Sequence, residues 1–328
     1  MNPIVPTAAD VKEAAYRLAD WLQDTPVLES ALLNDRVGAR VLIKAECLQH
    51  GGSFKIRGAL NRLLRLSYDE RRAGVVAFSS GNHGVAVALA ARLLNLRATV
   101  VMPADAPAAK LGSVRRLGAQ VVLFDRLRED REQIAADIAQ REGSSLVPPF
   151  EHADVVAGQG SVGLELVAAA RLRRLTLDAV YMPCSGGGLL AGSALAVADV
   201  FPDCKYFAVE PEGYDDMARS LASGERQINT SHGGSICDGL MAIAPGAISF
   251  SILNRLDSAA CAVSDAEVLS AMAFAASELK LVVEPSGAAA LAAVRRLSDT
   301  DFGCIGLVLS GGNVDGPVLA RALAVGTD

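Results

Sequence analysis

The chain has six lysines against twenty-five arginines, and one of the six, Lys55, stands in the stretch HGGSFKIRGAL. A glycine pair precedes it, Phe54 adjoins it, and a helical pattern follows. Three strand-like runs elsewhere end in polar, glycine-bearing turns: Ser79-Ser80-Gly81-Asn82-His83, Ser185-Gly186-Gly187-Gly188 and Ser310-Gly311-Gly312-Asn313. Consecutive glycines ahead of a helix let backbone N–H groups converge on an anion, and the positive end of the helix dipole adds to them. A phosphate is the natural ligand at 185–188. Two hydroxyls, an amide and an imidazole crowd a second helix start at 79–83. That is more than one cap requires, and it suits a carboxylate. Ser310 offers a hydroxyl. An amine, a phosphate cradle, a carboxylate site and a hydroxyl together suit a lysine that takes a carbonyl cofactor through a Schiff base. A phosphate-loop lysine would need G-x-x-x-x-G-K-[ST], which does not surround Lys55.

Other patterns compete for the same residues. Gly186, Gly188 and Ala191 fit G-x-G-x-x-A, and Glu210 ends the next strand-like run, so a nicotinamide dinucleotide is a rival ligand. Glu210, Glu212, Asp215 and Asp216 cluster on one loop. Oxygen ligands spaced this closely suit a hard cation such as magnesium or calcium, and equally a solvated acidic loop. Glu284, just before a helical pattern, is either a first-turn acid or a residue of the cleft.

The elements that must position these groups alternate along the chain. Nearly continuous apolar runs at 41–46, 75–78, 99–102, 121–124, 179–183, 206–209 and 305–309 read as strands covered on both faces. Helical patterns lie between them at 85–94, 109–117, 130–142, 162–172, 189–200, 265–279 and 287–297. This is the alternation of an α/β protein with mainly parallel sheets. No linker divides the chain, but two glycine-rich centres, at 51–84 and 185–192, point to two lobes with a site between them.

Composition narrows the classes. The chain has 328 residues, 51% hydrophobic and 21% charged, with a net charge of −6. It has no basic block for nucleic acid, no apolar run long enough for a membrane span, and no signal-peptide pattern at its start. The expectation is a cytoplasmic protein that binds a small molecule, with no nucleic-acid or membrane partner. The six cysteines are scattered without C-x-x-C, and the four histidines lack paired-ligand spacing. Reduced thiols are expected, and no zinc site.

The ordered set SFKIRGA (53–59), SSGNHG (79–84), PADAPAAKLGSVRRLGAQV (103–121), PPFEHADVVAGQGSVGLEL (148–166), SGGGLLAG (185–192), ICDGL (236–240) and LSGGN (309–313) spans nearly the whole chain. It resembles the fold-type II pyridoxal-phosphate enzymes, in the serine/threonine dehydratase and serine racemase branch. The resemblance implies a two-lobed α/β fold like that of the tryptophan synthase β chain. Residues 1–70 and 150–328 would form the large cofactor-binding lobe and 71–149 a small mobile one. No C-terminal regulatory domain is expected, and homodimers are usual.

Implied roles follow residue by residue. Lys55 would carry the cofactor as an internal aldimine and later remove the α-proton. Phe54 would pack near the ring, and Gly239 and Glu284 would also be cofactor-binding. Asn82 would bond the 3-hydroxyl, Ser185, Gly186, Gly187, Gly188 and Leu189 would cradle the phosphate, and Ser310 would meet the pyridine nitrogen. Ser79, Ser80, Asn82 and His83 would bind the substrate carboxylate. Glu210, Asp216 and the Tyr214 carbonyl match a cation site for Mg2+ or another ion. The implied reaction removes water from a β-hydroxy-α-amino acid, giving a 2-keto acid and ammonia. A neutral hydroxyl at the ring nitrogen favours prompt elimination. Amino-acid racemisation, with Ser80 as a second acid/base, is the nearest alternative, and 3-hydroxyaspartate is an alternative substrate. His50, Gly51 and Val85 depart from the usual pattern. They are candidates for widening the pocket toward a bulkier substrate such as phenylserine.

Overall fold

The computed structural model describes residues 4–79, 81–106, 108–125, 127–230 and 234–326. Its strands form two sheets. The first has six strands: β1 (Val27–Leu28), β2 (Arg40–Ala45), β7 (Ala179–Pro183), β8 (Lys205–Pro211), β9 (Ala259–Val263) and β10 (Cys304–Leu309), in the order β1-β2-β10-β7-β8-β9. Only β1 runs antiparallel to its neighbour. The second sheet is wholly parallel: β3 (Val75–Phe78), β4 (Ala98–Pro103), β5 (Gln120–Phe124) and β6 (Ser145–Leu146), in the order β5-β4-β3-β6. Strands β3, β4, β7 and β10 are buried at every residue, which is why they appear in the sequence as unbroken apolar runs.

Register sets the rim where the site lies. Leu309 pairs with Ala45, so β10 and β2 end level. The turns at 185 and 310 leave the carboxyl ends of β7 and β10, and the turn at 79 leaves that of β3 in the other sheet. Parallel α/β sheets bind ligands at such ends.

Three strands lie outside the sequence expectation. β1 and β6 are two residues each, too short for any periodic signal. β9 reads AACAV, an alanine-rich composition that favours helix by propensity. It is a half-buried edge strand held parallel to β8.

The helix expected at 162–172 is Ala153–Leu172, starting nine residues earlier. Its first half carries Gly158 and Gly160, each a penalty of about 1 kcal/mol against alanine in a helix. Packing requires them. A Cβ on Gly158 would stand 2.5 Å from the Arg57 carbonyl oxygen, and one on Gly160 would stand 2.6 Å from that of Gly192. Thus helix Lys55–Leu64 and helix Gly188–Ala198 both touch Ala153–Leu172 backbone to backbone. That contact fixes the lysine-bearing helix against the helix behind the glycine loop. Ala153–Leu172 is also long and apolar enough to cross a membrane, but most of it is buried inside the fold.

Behind Lys55 the same helix buries Arg57. Its five guanidinium hydrogen bonds go to Glu46 (2.7 and 2.7 Å), Glu165 (2.6 and 2.8 Å) and Ser161 (3.0 Å). Glu165 also pairs with buried Lys44 at 2.5 Å, and Thr25 donates to Glu46 at 2.5 Å. Two cations and two anions therefore neutralise one another in the core.

Candidate active site

Lys55 opens the helix Lys55–Leu64, with Phe54 as its N-cap residue. The half-buried side chain turns inward, and Nζ donates to the Pro149 carbonyl oxygen at 3.0 Å. It lies 5.1 Å from the centre of the Phe54 ring. Desolvation lowers the amine to about 8, since burial penalises the ammonium form.

The SGGN turn is tied to this lysine. Ser53 and Gly311 form a β-bridge, the Phe54 N–H donates to the Ser310 carbonyl at 3.1 Å, and Gly312 N–H donates to Gly52 at 2.9 Å. Gly51 and Gly52 both have positive φ, +72° and +73°, which turn the chain sharply into Ser53. A Cβ on Gly52 would stand 2.4 Å from Asn313 Oδ1. Gly52 thus makes room for Asn313.

The glycine loop follows β7. Gly187 has φ +86°, and the helix that starts at Gly188 has no side-chain cap. The loop is hemmed in on its protein side. A Cβ would meet the Phe150 ring at Gly186 (2.3 Å), Ser249 Cβ at Gly187 (2.9 Å) and Gln159 Oε1 at Gly188 (2.6 Å). Ser185 Oγ accepts from the Ala242 N–H at 3.2 Å. A bare, uncapped helix start of this kind suits a phosphate group.

Asn82 begins the helix Asn82–Leu93, whose N-cap Gly81 also provides no side-chain cap. Its Nδ2 donates to Glu284 Oε1 at 2.5 Å, and its Oδ1 accepts from Asn313 Nδ2 at 2.9 Å. Glu284 is buried, and burial pushes its carboxyl up to about 7. Gly239 N–H donates to Ser286 Oγ at 2.9 Å, on the turn of helix that Glu284 precedes. Next to Gly239, Asp238 bonds Lys110 at 2.7 Å, linking helix Ala108–Arg116 to the rim of the larger sheet.

His83 is buried, and its Nε2 lies 2.8 Å from the Val147 carbonyl. Burial drives its value down to about 3, so the ring is neutral with the proton on Nε2. Nδ1 is a buried acceptor without a partner. The imidazole therefore has no N–H to offer a carboxylate. Ser79 Oγ accepts from the Gly81 N–H at 3.1 Å. Ser80 lies outside the described residues.

The acidic loop after β8 differs from its simplest reading as a solvated turn. Glu210 is fully buried, and its two oxygens accept from the N–H groups of Met217 (2.8 Å) and Ala218 (2.9 Å). Burial, with Asp216 nearby, pushes it up to about 8. A fully buried acid bonded to two backbone N–H groups is a poor match for the ribose-binding residue of the dinucleotide alternative. Asp216 Oδ1 accepts from Asn229 Nδ2 at 2.5 Å, while its buried Oδ2 has no partner. Tyr214 closes the turn with its N–H on Pro211 O, at 3.0 Å. Among the described residues, no three His, Cys, Asp or Glu side chains form a metal-holding group. A cation here would rest on two carboxylates and a carbonyl.

Sequence reasoning did not single out Pro149, Phe150, Gln159, Asn229, Asn313 or Lys110. Gln159 lies in a helix interior that carries no local chemical signal, and Pro149 contributes only a main-chain carbonyl. Lys110 reaches its partner across a long stretch of chain.

A family model described as "Pyridoxal-phosphate dependent enzyme" matches residues 18–311. The chain is 44% identical to an L-threo-3-hydroxyaspartate ammonia-lyase of Saccharomyces cerevisiae, over 95% of this chain and 94% of that one. It is 40% identical to a serine racemase of Schizosaccharomyces pombe, over 96% of each. Among solved structures, maize serine racemase superposes with a TM-score of 0.90 at 36% identity, covering 98% of both chains.

Proposed function

The chain belongs to the pyridoxal-phosphate dependent enzymes, and from that premise we propose that it is an ammonia-lyase for β-hydroxy-α-amino acids of the L-serine/L-threonine type. One observation carries the reading. A half-buried lysine, lowered to about 8, sits beside an uncapped glycine loop and an uncapped second helix start. The bare loop and the unpartnered acceptor at His83 Nδ1 fit a phosphorylated aromatic cofactor in this position.

When bound, the cofactor supplies an aldehyde for an amine and an electron sink for charge at the α-carbon. The chain's residues do the rest. Backbone N–H groups from Ser185 to Leu189 hold the phosphate. Lys55 Nζ would hold the cofactor and, once freed by an amino acid, would take the α-proton. Phe54 and Gly239 would flank the cofactor ring, Ser310 Oγ would meet its nitrogen, and Asn82, oriented by Glu284, would bond the 3-hydroxyl. Ser79, Ser80 and the backbone N–H groups at 82–83 receive the substrate carboxylate. Glu210, Asp216 and the Tyr214 carbonyl hold a cation such as Mg2+. Loss of the β-hydroxyl as water and hydrolysis of the enamine leave a 2-keto acid and ammonia.

We assign residues 71–149 to a small mobile lobe and the rest to a large one. Support comes from the separate four-stranded sheet, whose strands all fall between Val75 and Leu146. A cytoplasmic homodimer completes the proposal.

A second substrate reading is favoured by Lys110. Its ammonium stands beside Asp238, with Glu284 close enough to raise its pKa, and it could meet the extra carboxylate of 3-hydroxyaspartate. The experiment is an assay of keto-acid and ammonia release from serine, threonine, phenylserine and hydroxyaspartate stereoisomers. Equal amounts of the two products are expected, together with a visible absorbance band that Lys55→Ala abolishes. Accumulation of the opposite enantiomer without keto acid would make the protein a racemase.

A further inference from the structure

Lys55 is not held by its own surroundings alone. The Pro149 carbonyl that receives its amine at 3.0 Å accepts a second hydrogen bond, from Gln159 Nε2 at 3.3 Å. Gln159 lies on the inner face of helix Ala153–Leu172 and is 1% exposed. Its Oε1 has no hydrogen-bond partner and faces Gly188, at 2.6 Å from where a Cβ would stand. The amide orientation is decided by Pro149. The reverse orientation would bring Oε1 against the carbonyl oxygen, acceptor to acceptor. A buried glutamine with half of its bonding capacity unmet costs folding free energy, which an apolar side chain of similar length would not. Such a residue at the junction of the lysine and the glycine loop points to a role in the site.

We infer that Gln159 is a positioning residue for Lys55: it pins the Pro149 carbonyl as the acceptor of the lysine amine, and its unpartnered oxygen waits beside Gly188 for a donor. The segment at 148–150 enters the long helix only after Glu151 and His152, so Pro149 belongs to a connecting stretch. Gln159, fixed in a helix packed backbone to backbone, supplies the rigid end of the contact. With the carbonyl pinned, Nζ has one place to stand when it is not bound to a ligand. The inference rests on Lys55 being the cofactor-bearing lysine.

The test uses the full-length apoprotein with Gln159→Leu and, as a second unbranched variant, Gln159→Met. Lys55 acetylation by acetic anhydride is followed across pH by mass spectrometry. The unsubstituted protein should give a midpoint of about 8. In the variants the ammonium loses its fixed acceptor, so the midpoint should fall by about one unit. Thermal stability should be equal or higher, because an orphaned acceptor is gone. With cofactor restored, kcat should drop about tenfold to a hundredfold while KM changes little. An unchanged midpoint in either folded variant overturns the inference, as does lost stability with that midpoint intact. Borohydride reduction of the holoenzyme keeps the two proposals apart. Label on a lysine other than Lys55 sinks the functional reading, whereas the acetylation midpoint judges Gln159 alone.

Discussion

At the scale of single residues, two amines face the site with opposite surroundings. Lys55 has desolvation and a carbonyl, so its charge is weakly held and it is free base above about 8. Lys110 has Asp238 at 2.7 Å and further acids nearby, so its value is raised and it stays charged. The first suits proton transfer and the second suits anion binding. Accordingly kcat should climb with pH through about 8 and level off above it, as the released Lys55 amine loses its proton. Lys55→Arg, which keeps the charge, should cost at least about a thousandfold in kcat, a loss typical of removing a general base. Lys110→Met should raise KM for 3-hydroxyaspartate by about tenfold, the worth of one charge-assisted hydrogen bond, and leave KM for serine in place. Equal effects on both substrates would remove Lys110 from substrate selection.

At the scale of elements, the site depends on three helices meeting at glycines. Gly192 shows the tolerance: a Cβ there would lie 2.2 Å from the Val156 carbonyl oxygen. Gly192→Ala must push helix Gly188–Ala198 away from Ala153–Leu172, at a cost of about 1–3 kcal/mol for overpacking. Cofactor affinity should fall with stability, because the phosphate loop moves with its helix. Denaturant titration and cofactor titration of the same variant check both. The buried ion cluster makes a second structural demand. Arg57→Met leaves Glu46 without its main partner in the core, and removing one member of a buried pair costs about 3–5 kcal/mol. Arg57→Met with Glu46→Leu should recover much of that loss, which separates an uncompensated charge from a lost shape.

At the scale of the whole molecule, buried titrating groups tie stability to pH. Burial raises Glu210 to about 8, Glu284 to about 7 and Asp216 to about 6 in the folded chain. Above the ordinary carboxylate range the folded state holds protons that the unfolded chain has released. Stability contributed by these groups is therefore lost as pH rises through those values. His83 has the opposite sign. Its folded value is about 3, so the unfolded chain takes up the proton first, and stability falls as pH drops below the ordinary histidine range. The apoprotein should thus lose several degrees of melting temperature between about pH 6 and 8, because three raised carboxyls outweigh the one histidine. Mg2+ at pH 8 should raise the melting temperature and release protons on binding, and Glu210→Gln should abolish both responses. If Mg2+ acts equally on that variant, the acidic loop is not its site.

Much of this protein was legible in the sequence. Lys55, the three glycine turns and the α/β alternation all arise from neighbours in the chain. Strands covered on both faces must be apolar throughout, and a loop that admits an anion must be bare, so both leave local patterns. Tertiary structure alone decided which groups remain free to act. The neutral state of His83 comes from burial and its tautomer from Val147, and Glu210 is oriented by the start of a later helix. Pro149 becomes the partner of Lys55 from nearly a hundred residues away, and Gln159 meets Lys55 only through that carbonyl. Hydrogen bonding and desolvation depend on what surrounds an atom in space, and those neighbours come from segments whose order along the chain says nothing of their distance.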